Sequence, residues 1–137
     1  MRSGYSYFDH DADIGIIGCG ETAEAAFVAA AEAMFAIMTD ITTVSDVIRI
    51  QVGFEESDLE LALVTWLNNL LTEARMEGLI FSRFALQRNE TNWRGEAWGE
   101  PWRAEMERGV EVKGATLTML SVKQAEAGWE ARCVVDV

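Results

Sequence analysis

The sequence predicts an α+β fold: a single domain with two amphipathic helices packed on a mostly antiparallel β-sheet. Three observations carry that prediction. Residues 22–38 and 57–74 repeat apolar side chains at helical spacing. Most of the remaining chain breaks into short runs with the two-residue alternation of strands, separated by turn residues. The 137 residues, half of them apolar, are enough to enclose one core.

Tyr5 and Tyr7 lead into Asp9-His10-Asp11-Ala12-Asp13, and Ile14 to Cys19 continues as a strand. Thr22 is a suitable N-cap for the first helix, and Glu24 favours the positive end of its dipole. Phe27, Ala30, Ala31, Met34, Phe35 and Met38 form one continuous stripe, which its alanines keep flat enough for close approach. Thr39 to Asp46 reads as a polar turn region. Val47 to Val52 alternates as a half-buried strand, broken at Gly53 to Glu56. Ser57 and Glu60 form a capping box for the second helix, whose stripe runs Leu59, Leu63, Trp66, Leu67, Leu70, Leu71 and Ala74, with Gly78 as C-terminal cap. The greasier second helix is expected to be the more central.

Short strands follow: Leu79 to Leu86, Asn92 to Trp98, Pro101 to Met106, Val110 to Lys113, Thr116 to Val122 and Gly128 to Val135. Turns are expected at Asn89-Glu90, Gly99-Glu100-Pro101, Arg108-Gly109 and Glu126-Ala127-Gly128. Trp93, Trp98, Trp102 and Trp129 fall here among Arg83, Arg88, Arg94 and Arg103. Cross-strand aromatic and arginine pairing explains them more cheaply than base stacking does.

With 11 Lys and Arg against 23 Asp and Glu, the formal charge is −12. Such a surface repels phosphate and argues against strong direct nucleic-acid binding, while suiting a basic protein partner or a metal ion. No stretch has the apolar length of a membrane span, and the N-terminus lacks the apolar region of a signal peptide. Cys19 and Cys133 have neither Cys-x-x-Cys spacing nor a nearby histidine, and read as buried thiols of a cytoplasmic protein. The chain contains no phosphate-cradling Gly-rich loop, nucleophile elbow or zinc ligand set. With His10 as its one histidine, most acid–base and nucleophile dyads cannot be built, so an ordinary enzyme is not expected.

Chemistry concentrates in Asp9, Asp11 and Asp13. In an extended segment the three carboxylates would project to one side and His10 to the other. Their mutual repulsion would be offset by a hard divalent cation, since Ca²⁺ and Mg²⁺ prefer oxygen ligands. An EF-hand loop is rejected, because its required Gly and Glu positions hold Ile14 and Gly20. The plainer alternative is a solvated turn in which the aspartates cap backbone N–H groups. Two further charges stand out: Lys113 at a strand junction, and Asp136 after Cys133-Val134-Val135. A terminal strand beside the first would bring Asp136 and the Val137 carboxylate to the aspartate cluster. A frayed terminus is the alternative.

The ordered set Asp9-His10-Asp11-Ala12-Asp13-Ile14-Gly15, the Ala-rich helix ending Met38-Thr39-Asp40, Trp66-Leu67-Asn68, Trp98-Gly99-Glu100, Glu111-Val112-Lys113-Gly114-Ala115-Thr116 and the closing Val135-Asp136-Val137 resembles the archease family over nearly the whole chain. The resemblance implies a small α+β protein that serves as cofactor to the GTP-dependent RNA ligase of tRNA splicing and RNA repair, promoting guanylylation of the ligase's histidine and multiple turnover. It implies that Asp13 and Asp136 bind a divalent cation, Ca²⁺ foremost and Mg²⁺ or Mn²⁺ as alternatives, and that Lys113 is required for activation. Val137, and Asp11 beside Asp13 in the aspartate cluster, are the additional candidate ligands. Asp9 and His10 enter only as neighbours.

Three departures accompany the resemblance. Asp11 stands where threonine is usual, Gly114 where alanine is usual, and Met106 to Gly109 lacks a histidine common there. The competing expectations are a metal-dependent hydrolase, with the cation activating water and His10 or an aspartate as base, and a chaperone-like module binding through the Trp-rich sheet.

Overall fold

A computed structural model describes residues 3–137. It has the expected α+β character, with the strands divided between two antiparallel sheets. In chain order the elements are β1 (Gly4–His10), β2 (Asp13–Gly20), α1 (Ala23–Met38), a short 3₁₀ turn (Ile41–Thr43), β3 (Ile48–Glu55), α2 (Leu59–Glu77), β4 (Leu79–Asn89), β5 (Asn92–Pro101), β6 (Gly114–Ala115), β7 (Ser121–Ala125) and β8 (Gly128–Asp136).

One sheet runs β1-β2-β8, and β8 also pairs with the short β6 and with β7. The other runs β3-β5-β4. Both helices pack on strands of both sheets, α1 chiefly on β2, β8 and β4, and α2 on β3, β4 and β6. One continuous apolar cluster joins them, from Ile16 through Phe27, Phe35, Trp66 and Phe81 to Cys133.

The Ala-rich α1, not the greasier α2, is the more deeply enclosed: nine of its 16 residues are buried, against seven of 19 in α2. The physical reason is its flat face. Gly18 of β2 lies so close that a Cβ there would stand 2.2 Å from the Ala26 carbonyl oxygen. Such an approach is possible only where strand and helix both lack bulk. Thr22 caps α1 as expected, accepting from the Ala25 N–H at 3.0 Å.

Four expectations are corrected. The N-cap of α2 is Asp58, whose carboxylate accepts from Leu61 N–H at 3.0 Å, so the Ser57–Glu60 capping box does not form. An aspartate one residue later supplies the same acceptor with a favourable charge. β5 continues through Gly99 and Glu100 to Pro101 instead of turning at Gly99, because Gly99 allows β4 to come close at Ile80. Pro101 to Met106 and Val110 to Lys113 are loop. That loop is fastened to the end of α1, with Gly109 N–H donating to Met38 carbonyl at 2.8 Å and Val110 N–H to Ile37 carbonyl at 3.1 Å. Thr116 to Val122 is not one strand: β6 ends at Ala115, and Met119 adopts a positive φ of 54° in the turn before β7.

Of the four tryptophans, Trp93 and Trp98 pair with arginines and aromatics on the sheet as expected, while Trp102 meets Arg108 within the loop. Arg83 of β4 lies 3.9 Å over the ring of Trp98, its register partner in β5. Trp93 is buried between Phe27 and Phe54, with ring centroids 5.1 and 5.7 Å away.

Candidate functional site

The aspartate segment is a hairpin, not one extended strand. His10 pairs with Asp13 and Asp9 with Ile14, leaving Asp11 and Ala12 as a two-residue loop. Asp11 has a φ of +51°, the sign that the primed hairpin turns demand at their first loop position. Aspartate tolerates that region better than most residues. The chain reversal undoes the expected convergence of three carboxylates. Residues opposed across a ladder share a face, so Asp13 lies on the side of His10, and Asp9 on the side of Ile14. Asp11 projects from the tip, 93 % exposed, with one carboxylate oxygen 3.9 Å from His10 Nδ1. Among the described residues, no three His, Cys, Asp or Glu side chains converge as a metal cage.

Asp13 gains a different neighbour. β2 pairs with β8 up to Ile14 and Val135. One position beyond that rung stand Asp13 and Asp136, in register and therefore projecting from the same face. Val137 N–H donates to Asp13 Oδ1 at 3.2 Å, linking residues 124 positions apart. On the other edge of β8, Gly114 pairs with Asp136. The Lys113 N–H donates to the Asp136 carbonyl oxygen at 2.8 Å. The structure thus assembles Asp13, Asp136, Val137 and the main chain of Lys113 in one place. Asp9 and Asp11 lie outside this rung. None of the ion pairs among the described residues engages Asp13, Asp136 or Lys113.

The face bearing this rung is shaped by Gly15. Gly15 is flanked in register by Phe8 and Val134, and a Cβ at Gly15 would stand 2.3 Å from the Phe8 ring. The ring therefore lies flat across the sheet two positions from the carboxylates. Arg132 lies over that ring, its guanidinium carbon 5.5 Å from the centroid.

Three of the motif residues serve as framework. Thr39 is buried and its hydroxyl donates to the Glu107 carbonyl at 2.6 Å, while Asp40 caps the 3₁₀ turn through the Thr42 N–H at 3.1 Å. Glu100 is 7 % exposed. Its carboxylate accepts from Ser45 N–H at 2.6 Å and from Arg103 Nε at 2.8 Å. Those hydrogen bonds hold its carboxyl below the usual range.

Two residues near the site carry no assigned role in the sequence reading, although Asn68 closes one of its motifs. Asn68, in the middle of α2, donates from Nδ2 to the Ala115 carbonyl at 3.1 Å and accepts the Ala115 N–H at 2.9 Å. Arg75, in the last turn of α2, donates from Nη2 to the carbonyls of Val112 and Lys113 at 2.7 and 2.6 Å. The available signal for Asn68 was its presence, with Asn69, inside an apolar helical stripe, where asparagine is a poor helix former. Arg75 gave none, since a basic residue in a last helical turn is ordinary.

The chemistry open to this rung follows from its donors. Two carboxylates side by side offer oxygen only, the donor type of hard cations. They are fewer than the six to eight oxygens Ca²⁺ takes, so water or a partner's groups would complete the shell.

Comparison with known proteins identifies the family. Residues 5–137 match the model of the Archease protein family (MTH1598/TM1083). The chain is 35 % identical over 136 residues to the protein archease of Sulfolobus acidocaldarius, covering 97 % of this chain and 98 % of that one. It is 33 % identical over 139 residues to the protein archease of Pyrococcus furiosus, covering 97 % and 98 %. The solution structure of Methanobacterium thermoautotrophicum protein 1598 superimposes with a TM-score of 0.88 at 32 % identity, covering 98 % of this chain and 99 % of that one. The crystal structure of an archease, possible chaperone, from Thermotoga maritima shares the fold at a TM-score of 0.67 and 18 % identity, covering 100 % and 98 %. The chain belongs to the archease family.

Proposed function

We propose that this protein is a metal-binding activator of a GTP-dependent RNA ligase, promoting guanylylation of the ligase and its multiple turnover in tRNA splicing and RNA repair. Family membership supports the partner. The observation that carries the site is the bond from Val137 N–H to Asp13 Oδ1, which sets Asp136 beside Asp13 with Lys113 tied to its carbonyl.

Asp13 and Asp136 would hold the cation, with Val137 oxygens as further donors; Asp11, at the hairpin tip, is set apart from them. Ca²⁺ is the first candidate because an exposed, incomplete oxygen shell suits its flexible coordination, and Mg²⁺ or Mn²⁺ are the alternatives. When bound, the cation supplies positive charge that offsets the repulsion of the two carboxylates. The protein's own residues do the rest. β8 holds the two chain ends together, and the exposed Lys113 offers a cationic group to the ligase or its nucleotide. Action on the ligase, not on RNA directly, fits a chain of net charge −12.

With limiting ligase, Asp13→Ala, Lys113→Ala and Asp136→Ala are each expected to abolish stimulation while leaving the circular dichroism spectrum unchanged. Full stimulation by all three variants would reject the proposal. Metal-dependent turnover of RNA or nucleotide by the protein alone would replace it with the hydrolase reading. Client binding that survives both chelation and Asp13→Ala would replace it with the chaperone-like one.

A further inference from the structure

Lys113 is presented by main chain that the sheet holds from one side only. Upstream of Gly114 the chain is loop back to Trp102. Beneath the loop lies a cleft of about 310 Å³, lined by Phe35, Leu71, Arg75, Trp102, Arg108 and Val112 among others. Sheet pairing reaches the lysine through a two-residue strand, with Gly114 and Ala115 opposite Asp136 and Val135. Two residues of β-ladder are a weak constraint, and although the loop before them is anchored by the buried Val112 and by Gly109 and Val110 at the end of α1, Lys113 itself is exposed.

A further constraint, on the peptides that flank Lys113, comes from α2. Arg75 Nη2 carries two hydrogens, and two carbonyls accept from it: Val112 at 2.7 Å and Lys113 at 2.6 Å. Charge-assisted bonds of that length are among the stronger ones a side chain makes. About two turns earlier on the same helix, Asn68 brackets Ala115 with a reciprocal amide pair. The peptide units on both sides of Lys113 are therefore gripped by a rigid helix, and its N–H by Asp136.

We infer that Arg75 is a positioning residue for Lys113: by gripping the carbonyls of Val112 and Lys113 it fixes the lysine beside the Asp13–Asp136 rung, with Asn68 as the second brace. The inference rests on the proposed role of Lys113 in ligase activation. It assigns Arg75 no contact with cation or ligase. Asp13 and Asp136 are joined through β2 and β8, so the clamp and the carboxylates are separable by mutation.

The test compares Arg75→Met, which keeps most of the apolar stem, with Arg75→Lys, which returns one cationic donor group. Three measurements are made on the full chain: amide hydrogen exchange, Tb³⁺ luminescence titration as the metal probe, and dose–response of ligase stimulation. Arg75→Met is expected to accelerate exchange at Gly114 and Lys113 relative to Cys133. Its Tb³⁺ affinity should stay within about twofold of the parent. Its maximal stimulation should fall on the order of tenfold or more, the scale of a misplaced functional group, with the half-maximal dose little changed. Arg75→Lys should recover part of both the protection and the stimulation.

Parent-like exchange and stimulation in Arg75→Met would overturn the inference, as would uniform loss of protection across β8, which marks general unfolding. Failure of the underlying reading looks different: Lys113→Ala would then stimulate fully. In that case exchange at Lys113 and Gly114 decides the clamp by itself, and unchanged protection refutes it.

Discussion

Glu100 illustrates how a single carboxylate can hold the loop that leads to the proposed site without touching that site. It accepts from Ser45 and Arg103, and Arg103 also donates to Glu105 at 2.7 Å. The segment leaving β5 is thereby pinned before it crosses toward Lys113. Because these bonds lower the folded-state pKa of Glu100, their contribution is complete above the unfolded carboxylate value of 4.5. It is lost as pH falls through the lower folded-state value. Glu100→Gln is therefore expected to lower the melting temperature at pH 7 and to flatten its decline on the acid side, read by thermal melts from pH 7 downward. A parallel decline in both proteins would show that Glu100 does not carry that limb. Cys133 shows the reverse shift for another reason: burial pushes its thiol up to about 12, keeping it a neutral core residue. The aspartates of the hairpin divide in the same residue-by-residue way. Asp11 serves the turn's backbone geometry, Asp9 the α1 side, and Asp13 the rung with Asp136.

At the scale of elements, helix ends and strand registers decide what the motifs do. α2 begins at Asp58, so Asp58→Ala should cost about 1 kcal/mol in urea denaturation, as loss of an N-cap acceptor does. Ser57→Ala should be close to neutral. Equal effects from the two substitutions would restore the capping box that Ser57 and Glu60 suggested. α2 ends at Gly78, whose φ of +67° and N–H donated to Ala74 and Arg75 carbonyls make the expected left-handed cap. That stop places Arg75 in the last turn, level with the Val112 and Lys113 carbonyls. β8 is the organising strand. It pairs with β2, β6 and β7, and through them collects residues from the start, the late loop and the end of the chain.

For the whole molecule, the proposed cation would tie two chain ends that the sheet already brings together. Binding to the folded chain alone raises stability by mass action, about 2.7 kcal/mol at 100 times Kd. Ca²⁺ is accordingly expected to raise the melting temperature, chelation to reverse the rise, and Asp13→Asn or Asp136→Asn to abolish it. Calorimetry with and without Ca²⁺ reads this directly, and an identical rise in Asp13→Asn would place the ion elsewhere. The described residues contain no helix long and apolar enough to cross a membrane.

Periodicity and capping residues by themselves determined the α+β class, both helices and most strands. Those features depend on contacts within a turn of helix or between alternate residues of a strand, which a linear sequence displays. The ordered motifs, through their resemblance to a family, also singled out Asp13, Lys113 and Asp136. Tertiary structure decided what those residues face. Asp9, Asp11 and Asp13 look equivalent along the chain, yet a two-residue reversal separates them, and only pairing with β8 selects Asp13. Strand partners are chosen by long-range hydrogen bonding and core packing, which is also why Arg75, an ordinary residue in a linear reading, and Asn68, a motif residue with no role legible there, lie against the main chain around Lys113.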